Sequence, residues 1–231
     1  MRAAEVRRPT HFCWGFRAAL AEEDAHLANA SLPVHLLDDL PHFDERELSR
    51  NRKSDLRKCE DRVEVQRLTS PALLLEQGYE PFRSAQRRLG YARELSEAQY
   101  RARVLRRTDW RRLIFAGLIG GFLGGYLDSY AIQGVLYLEE LFVASEALRS
   151  GIGTGLYVAA IRAAARSGSI HTICNGIHRP ERPTLTHFKE GLGFRVVALP
   201  ALARIRAPLR TYLKADKHSS GCSRFARVVP R

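Results

Sequence analysis

Methionine occurs once, tryptophan twice and cysteine four times in 231 residues. Cys13, Cys59, Cys174 and Cys222 stand far apart, with no C-x-x-C pair and no histidine at ligand spacing. That excludes a disulfide framework and a structural zinc site, and it fits a reducing, cytoplasmic setting. No apolar run reaches the ~20 residues that span a bilayer. The longest, LIFAGLIGGFLGGYL from Leu113 to Leu127, closes on Asp128. Its glycines weaken a helix, while Gly120-Gly121 makes a natural turn, so a β-hairpin and no membrane contact are expected. The opening residues MRAAEVRRPTHFCWGF carry positive charge, but no apolar stretch follows to complete a secretory leader. A P-loop is excluded because no Gly-Lys-Ser or Gly-Lys-Thr follows any glycine cluster.

Acidic side chains are the minority: 25 Asp and Glu against 37 Lys and Arg, a formal charge of +12. The excess is uneven. Residues 201–231 hold eight basic residues against Asp216, a net +7, and read as a basic tail, first a solvated end and second a patch for a polyanion. No helix-turn-helix, zinc finger or interleaved aromatic and basic platform accompanies it, so nucleic-acid binding is not expected. The rest is globular in composition, 45% hydrophobic and 27% charged.

Residues 1–43 show no clean period and form an N-terminal extension without an assigned role. Within it Phe16 to Leu27 suggests a short helix and Leu32 to Leu40 a packing segment. Asp44 to Glu60 is charge-dense with mixed signs, a solvent-facing helix. Val63, Val65 and Leu68 suggest a strand. Ser70-Pro71 starts helical pieces at Ala72 to Gly78 and Phe82 to Leu89, broken near Pro81, and Ser96 caps another that carries Tyr100, Val104 and Leu105. After Trp110 the texture changes. Leu113 to Ile119, Phe122 to Tyr130 and Val135 to Val143 read as an antiparallel meander with turns at Gly120-Gly121 and Gln133-Gly134. Ile152, Leu156, Ala159, Ala160 and Ala163 recur at helical spacing, predicting a helix from Gly153 to Arg166 that ends at Ser167-Gly168. Ile170 to Cys174 is a buried-type strand, Pro183 to Glu190 a short helix and Phe194 to Leu199 a last strand. The sum over residues 44–200 is an α/β (α+β) domain with a central mixed, mostly antiparallel twisted sheet flanked by helices.

Gly151, Gly153 and Gly155 lie between a strand and that central helix. A helix start offers unpaired N–H groups and the positive end of the macrodipole, which together bind phosphate, and glycines let a ligand approach the main chain. Tight turning alone also explains such a cluster. The order RRLIFAGLIGGFLGGYLDSY, VLYLEELFV, LRSGIGTGL, HTICN, HFKEGLGF resembles the GNAT acyltransferase superfamily over about Leu113 to Pro200. The resemblance implies an N-acyltransferase that uses acetyl-CoA or another acyl-CoA. Its glycine-loop amides, here Arg149, Ser150, Gly151, Ile152, Gly153, Thr154 and Gly155, would hold the pyrophosphate. The edge at Leu141, Phe142 and Val143 would pair with the pantetheine arm. Where the family carries Arg or Gln three residues before the first motif glycine, this chain has Leu148, with Arg149 one place later.

Direct acyl transfer needs a deprotonated amine, a nearby thioester carbonyl and a proton for the departing thiolate. For the base the candidates are Glu139 and Glu140, which strand alternation places on opposite faces; the resemblance of LYLEELFV to polyamine acetyltransferases points to Glu139. For the acid, the family's tyrosine position falls on Lys189, with Phe188 beside it counted among the cofactor contacts. Asn175 ends its strand where an amide can bond the cofactor, and the long connection NGIHRPERPTLTHF is placed to shape the acceptor pocket. The acceptor is expected to be a small-molecule or peptide amine, and a homodimer is compatible with the pattern. The missing tyrosine motivates the alternative, a catalytically silent GNAT-fold module that binds acyl-CoA as a sensor or scaffold.

Overall fold

A computed structural model describes residues 1–7, 9–10, 13–90, 94–107 and 112–205. Trp110 and the stretch from Arg206, most of the expected basic tail, lie outside the described residues. In chain order the elements are β1 (Gly15–Ala19), β2 (Ala30–Leu37), α1 (Arg50–Arg62), β3 (Glu64–Leu68), α2 (Ala72–Gln77), α3 (Tyr79–Leu89) and α4 (Glu97–Arg107). They continue with β4 (Arg112–Ile119), β5 (Phe122–Ile132), β6 (Val135–Val143), α5 (Ile152–Ser167), β7 (Thr172–Ile177), α6 (Pro183–Glu190) and β8 (Arg195–Ile205). The chain divides into two compact units.

The smaller unit joins Met1–His35 and Ile177–Pro183 to the described part of Val196–Arg231. In it β8 lies between β1 and β2, pairing antiparallel with β1 from Gly15↔Ile205 to Ala19↔Ala201. The helix expected from Phe16 to Leu27 is therefore a strand followed by a 3-10 turn at Glu22–Leu27. Its exposed Arg17 and buried Ala18 follow the two-residue period of a strand, and the partner needed to see it stands at the far end of the chain. β8 also runs five residues into the segment expected as tail, with Ala201 fully buried.

The larger unit, Leu36–Gly176 with Thr184–Arg195, holds strands in the order β7-β6-β5-β4-β3. β3 through β6 are antiparallel and β7 joins β6 in parallel. The meander falls where the sequence puts it. Left-handed backbone at Gly120 and Gly121 (φ 58° and 83°) and at Gln133 and Gly134 (φ 49° and 77°) turns the chain. Alternation gives the sheet two apolar faces. Phe115, Leu127, Leu138 and Val143 pack under α5 and α1, while Ile114, Ala116, Tyr126 and Phe142 pack under α2, α3 and α4. On the second face Phe82 meets Tyr100 at 4.9 Å and Phe142 at 5.0 Å between ring centroids, contacts worth about 0.5–1.5 kcal/mol each beyond burial.

The break between α2 and α3 falls at Gly78, where a side chain would strike the Tyr100 hydroxyl and the Leu74 carbonyl. Pro81 sits in the first turn of α3, where no N–H is required. α4 carries the expected cap: Gln99 N–H donates to Ser96 Oγ and Ser96 N–H to Gln99 Oε1. α1 is not a purely solvent-facing helix, because Leu56 and Cys59 are buried against the core that α5 shares. No described helix is long and apolar enough to cross a membrane.

Candidate active site

β6 and β7 pair only at Val135↔Thr172, Leu136↔Ile173 and Tyr137↔Cys174. Beyond Tyr137 the two strands part, while β6 stays paired with β5 as far as Val143. The edge from Leu138 to Val143 that faces β7 thus has no strand partner among the described residues. Leu141 is half-buried beside α5, Val143 joins the core under α5, and Phe142 points through the sheet to Phe82 and Tyr126.

A bulge lies in β6 just beyond the last β7 pair. Asp128 faces Glu140 and Ser129 faces Leu138, which leaves Glu139 as an extra residue in β6. Alternation placed Glu139 and Glu140 on opposite faces; the bulge brings both to Arg107. Arg112 Nη1 donates to Glu139 at 2.5 Å and to Asp128 at 3.0 Å, and Arg103 also bonds Glu140. Burial pushes the Glu139 carboxyl up, yet the Arg112 bond and the charges of Arg107 and Arg112 outweigh it, so its pKa lies below the ordinary value. Asp128, more deeply buried, goes the other way despite the same arginines. A carboxylate held down by two guanidinium groups is a weak proton acceptor.

On the β7 side, Asn175 is 4% exposed. Its Oδ1 accepts from the Tyr157 hydroxyl at 3.3 Å, and its Nδ2 is buried with no hydrogen-bond partner among the described residues. Burial pushes the Tyr157 phenol up to about 12, with the Asn175 bond opposing, so it stays protonated and donates to the amide oxygen. Lys189, 5% exposed, donates from Nζ to the Asn175 carbonyl at 2.5 Å. Phe188 stands edge-on to Tyr157 at 5.4 Å. His187 is 80% exposed and bridges to Glu190 on the surface of α6.

At the start of α5 the three glycines differ. Gly151 has φ 77°. A side chain there would run into the Asp55 carbonyl of α1, and one at Gly155 into Cys59 Sγ. α1 thus takes the space that two of the three glycines open. At Gly153 the nearest atom to an added Cβ is Leu141 Cδ2, at an ordinary 3.6 Å. Ser150 Oγ donates to the Ala147 carbonyl and accepts from Ile152 N–H at 3.3 Å, which satisfies one helix-start donor internally. Ile152 is fully buried and Arg149 exposed. Thr154 Oγ1 accepts from Arg52 Nη1 at 3.1 Å, and the Arg52 guanidinium covers the Phe188 ring at 4.6 Å.

Of the residues singled out by sequence, Asn175, Lys189 and Phe188 gather with Tyr157, Thr154 with Arg52, and Glu139 with the arginine cluster. Tyr157, Arg52, Arg107 and Arg112 were missed. A tyrosine on the small-residue stripe of α5 hints at a buried hydroxyl in need of a partner; nothing local marks Arg107 and Arg112, whose partners are distant in sequence, and Arg52 reads as an ordinary helix pair with Asp55.

No protein-family model and no curated protein sequence matches the chain. Solved structures do. The C-terminal DUF2156 domain of a putative lysylphosphatidylglycerol synthetase from Agrobacterium fabrum superposes with TM-score 0.63 at 10% identity, over 87% of this chain and 70% of that one. FemX follows at 0.59 and 12% identity, over 78% of this chain and 63% of its own length. L-PGS from Bacillus licheniformis gives 0.57 at 12%, over 85% and 70%. The protein has the GNAT fold. The meander, the glycine turn into α5, the strand β7 and the short helix α6 follow in the order the sequence resemblance implies.

Proposed function

We propose that this chain is an acyltransferase that seats an activated acyl group in the fork between β6 and β7 and passes it directly to an amine. One observation carries the reading: the buried Asn175 Nδ2, without a partner among the described residues, at the point where the strands part. An orphaned buried donor costs about 1–3 kcal/mol, and an acyl carbonyl or an amide of the donor's arm relieves it. The open main-chain edge of β6 accepts such an extended arm as a further strand.

An acyl-CoA, acetyl-CoA first, supplies a thioester when bound. The residues fit its diphosphate from one side only, with Arg149 and the unobstructed Gly153 facing it and α1 closing off Gly151 and Gly155. The amine nitrogen bonds the carbonyl carbon, the carbon–sulfur bond breaks, and the thiolate takes a proton. Asn175 Nδ2 orients the carbonyl. Lys189 Nζ, buried beside it, gives the proton to the leaving group. Glu139 receives the amine's proton, weakly because of its two arginines, so positioning supplies most of the acceleration.

A second donor reading has its own support. Because α1 fills the space at two glycines, a donor that places no diphosphate on the turn also fits, and the likeness to a lysylphosphatidylglycerol synthetase domain suggests an aminoacyl ester. Thermal shift and turnover separate the readings, with acetyl-CoA, longer acyl-CoAs and lysyl esters as donors and a panel of primary amines as acceptors. The expected result is a rise in melting temperature with acetyl-CoA that Gly153→Glu weakens, and turnover that Asn175→Ala lowers about 10- to 100-fold. Stabilisation without turnover supports the silent acyl-CoA-binding module. Turnover with lysyl esters alone assigns the second donor, and no response to any donor ends the acyltransferase reading.

A further inference from the structure

On the other side of α5 from the fork, a groove of about 710 Å³ opens between α1, α5 and β3. Its floor is apolar: Val63 and Phe115, nearly fully buried, with Val65, Ala159 and Ala163. Alanine on the face of α5 toward the edge strand leaves the space a larger side chain would fill. The walls are charged. Arg162 donates to Glu45 at 2.5 and 2.7 Å and to Glu60 at 3.3 Å, so it is neutralised in place. Arg67 on β3 and Arg166 on α5 line the same groove, are exposed, and form no ion pair among the described residues. Arg166 in the last turn also offsets the negative end of α5, and Arg67 keeps the edge strand β3 from pairing. Neither role requires that both open on one apolar cavity.

We propose that this groove binds a single-chain amphiphile with an anionic head, the chain lying on the apolar floor and a carboxylate or phosphate held between Arg67 and Arg166. The two free guanidinium groups supply charge-assisted donors for such a head, and the volume falls in the range of small-molecule sites, about 300–1,000 Å³. A soluble polyanion leaves the floor unused, and a neutral lipid leaves the arginines unused. The site is separate from the fork and does not depend on the transfer reaction.

The full chain is titrated calorimetrically, below the critical micelle concentration, with dodecyl phosphate, laurate, dodecyl maltoside, dodecyltrimethylammonium and inorganic phosphate. Saturable one-to-one binding of the two anions, at least about tenfold tighter than the neutral and cationic heads, is expected, with no measurable binding of phosphate alone. The tighter anion names the head. Arg67→Gln with Arg166→Gln, both exposed, weakens dodecyl phosphate about tenfold and lowers the melting temperature by no more than the few degrees that loss of the Arg166 charge at the end of α5 explains. Ala163→Phe, which fills the floor, weakens laurate and dodecyl phosphate alike. Equal binding of all head groups, binding of inorganic phosphate as tight as that of dodecyl phosphate, or indifference to both variants would overturn the proposal.

Discussion

Gly151 and Gly153 stand two residues apart and have opposite reasons to be glycine. Gly151 adopts φ 77° with the Asp55 carbonyl where its side chain would be, so Gly151→Ala costs about 2 kcal/mol or more in denaturant unfolding. Gly153 is helical with ordinary room around it, and Gly153→Ala raises stability by up to about 1 kcal/mol. If Gly153→Ala also weakens the acetyl-CoA shift while Gly151→Ala does not, the donor approaches from the Gly153 side. Glu139 carries a pH prediction. Its folded pKa lies below the ordinary value of 4.5, so its stabilisation is present above that value and fades as the pH falls through the depressed folded pKa. The melting-temperature gap between the protein and Glu139→Gln should therefore be widest near neutrality and narrow as the pH falls below 4.5 through the depressed folded pKa. For Lys189, replacement by Met should lower kcat about tenfold or more with little change in KM; a matched rise in KM would assign it to donor binding.

At the scale of elements, the helix contact between α1 and α5 is set by small residues. Gly155 lies against Cys59 Sγ, and the thiol, pushed up to about 11 by burial, behaves as a neutral packing group. Gly155→Ala should destabilise the protein, and the loss should shrink by about 1 kcal/mol or more when Cys59→Ala removes the sulfur. A null coupling in that double-mutant cycle would show that α1 can retreat. The elements legible in the sequence were those with local causes. The meander was readable because left-handed glycine turns between apolar runs are short-range. β1 was hidden, and β8 was read only as far as Leu199, because each finds its partner at the opposite end of the chain. The β6 bulge was hidden too, since an extra residue in one strand shows only in the register against its neighbour.

For the whole molecule, the net charge of +12 sets long-range behaviour without deciding the fold. Residues 206–231 hold seven basic residues and Asp216, a net +6. A chain ending at Ile205 should elute from a heparin column at clearly lower salt than the full chain; unchanged elution would move the polyanion contact to the folded units. The sequence by itself determined the meander, the glycine turn into a helix and, through their order, the GNAT fold, because hairpin turns, alternation and helix starts are written in neighbouring residues. Only the tertiary structure decided that α1 takes the space at Gly151 and Gly155, that Glu139 and Glu140 share one arginine, and that β6 leaves β7 beside an Asn175 whose Nδ2 has no partner among the described residues. Those outcomes depend on contacts between residues far apart in the chain, and local preferences carry no record of them.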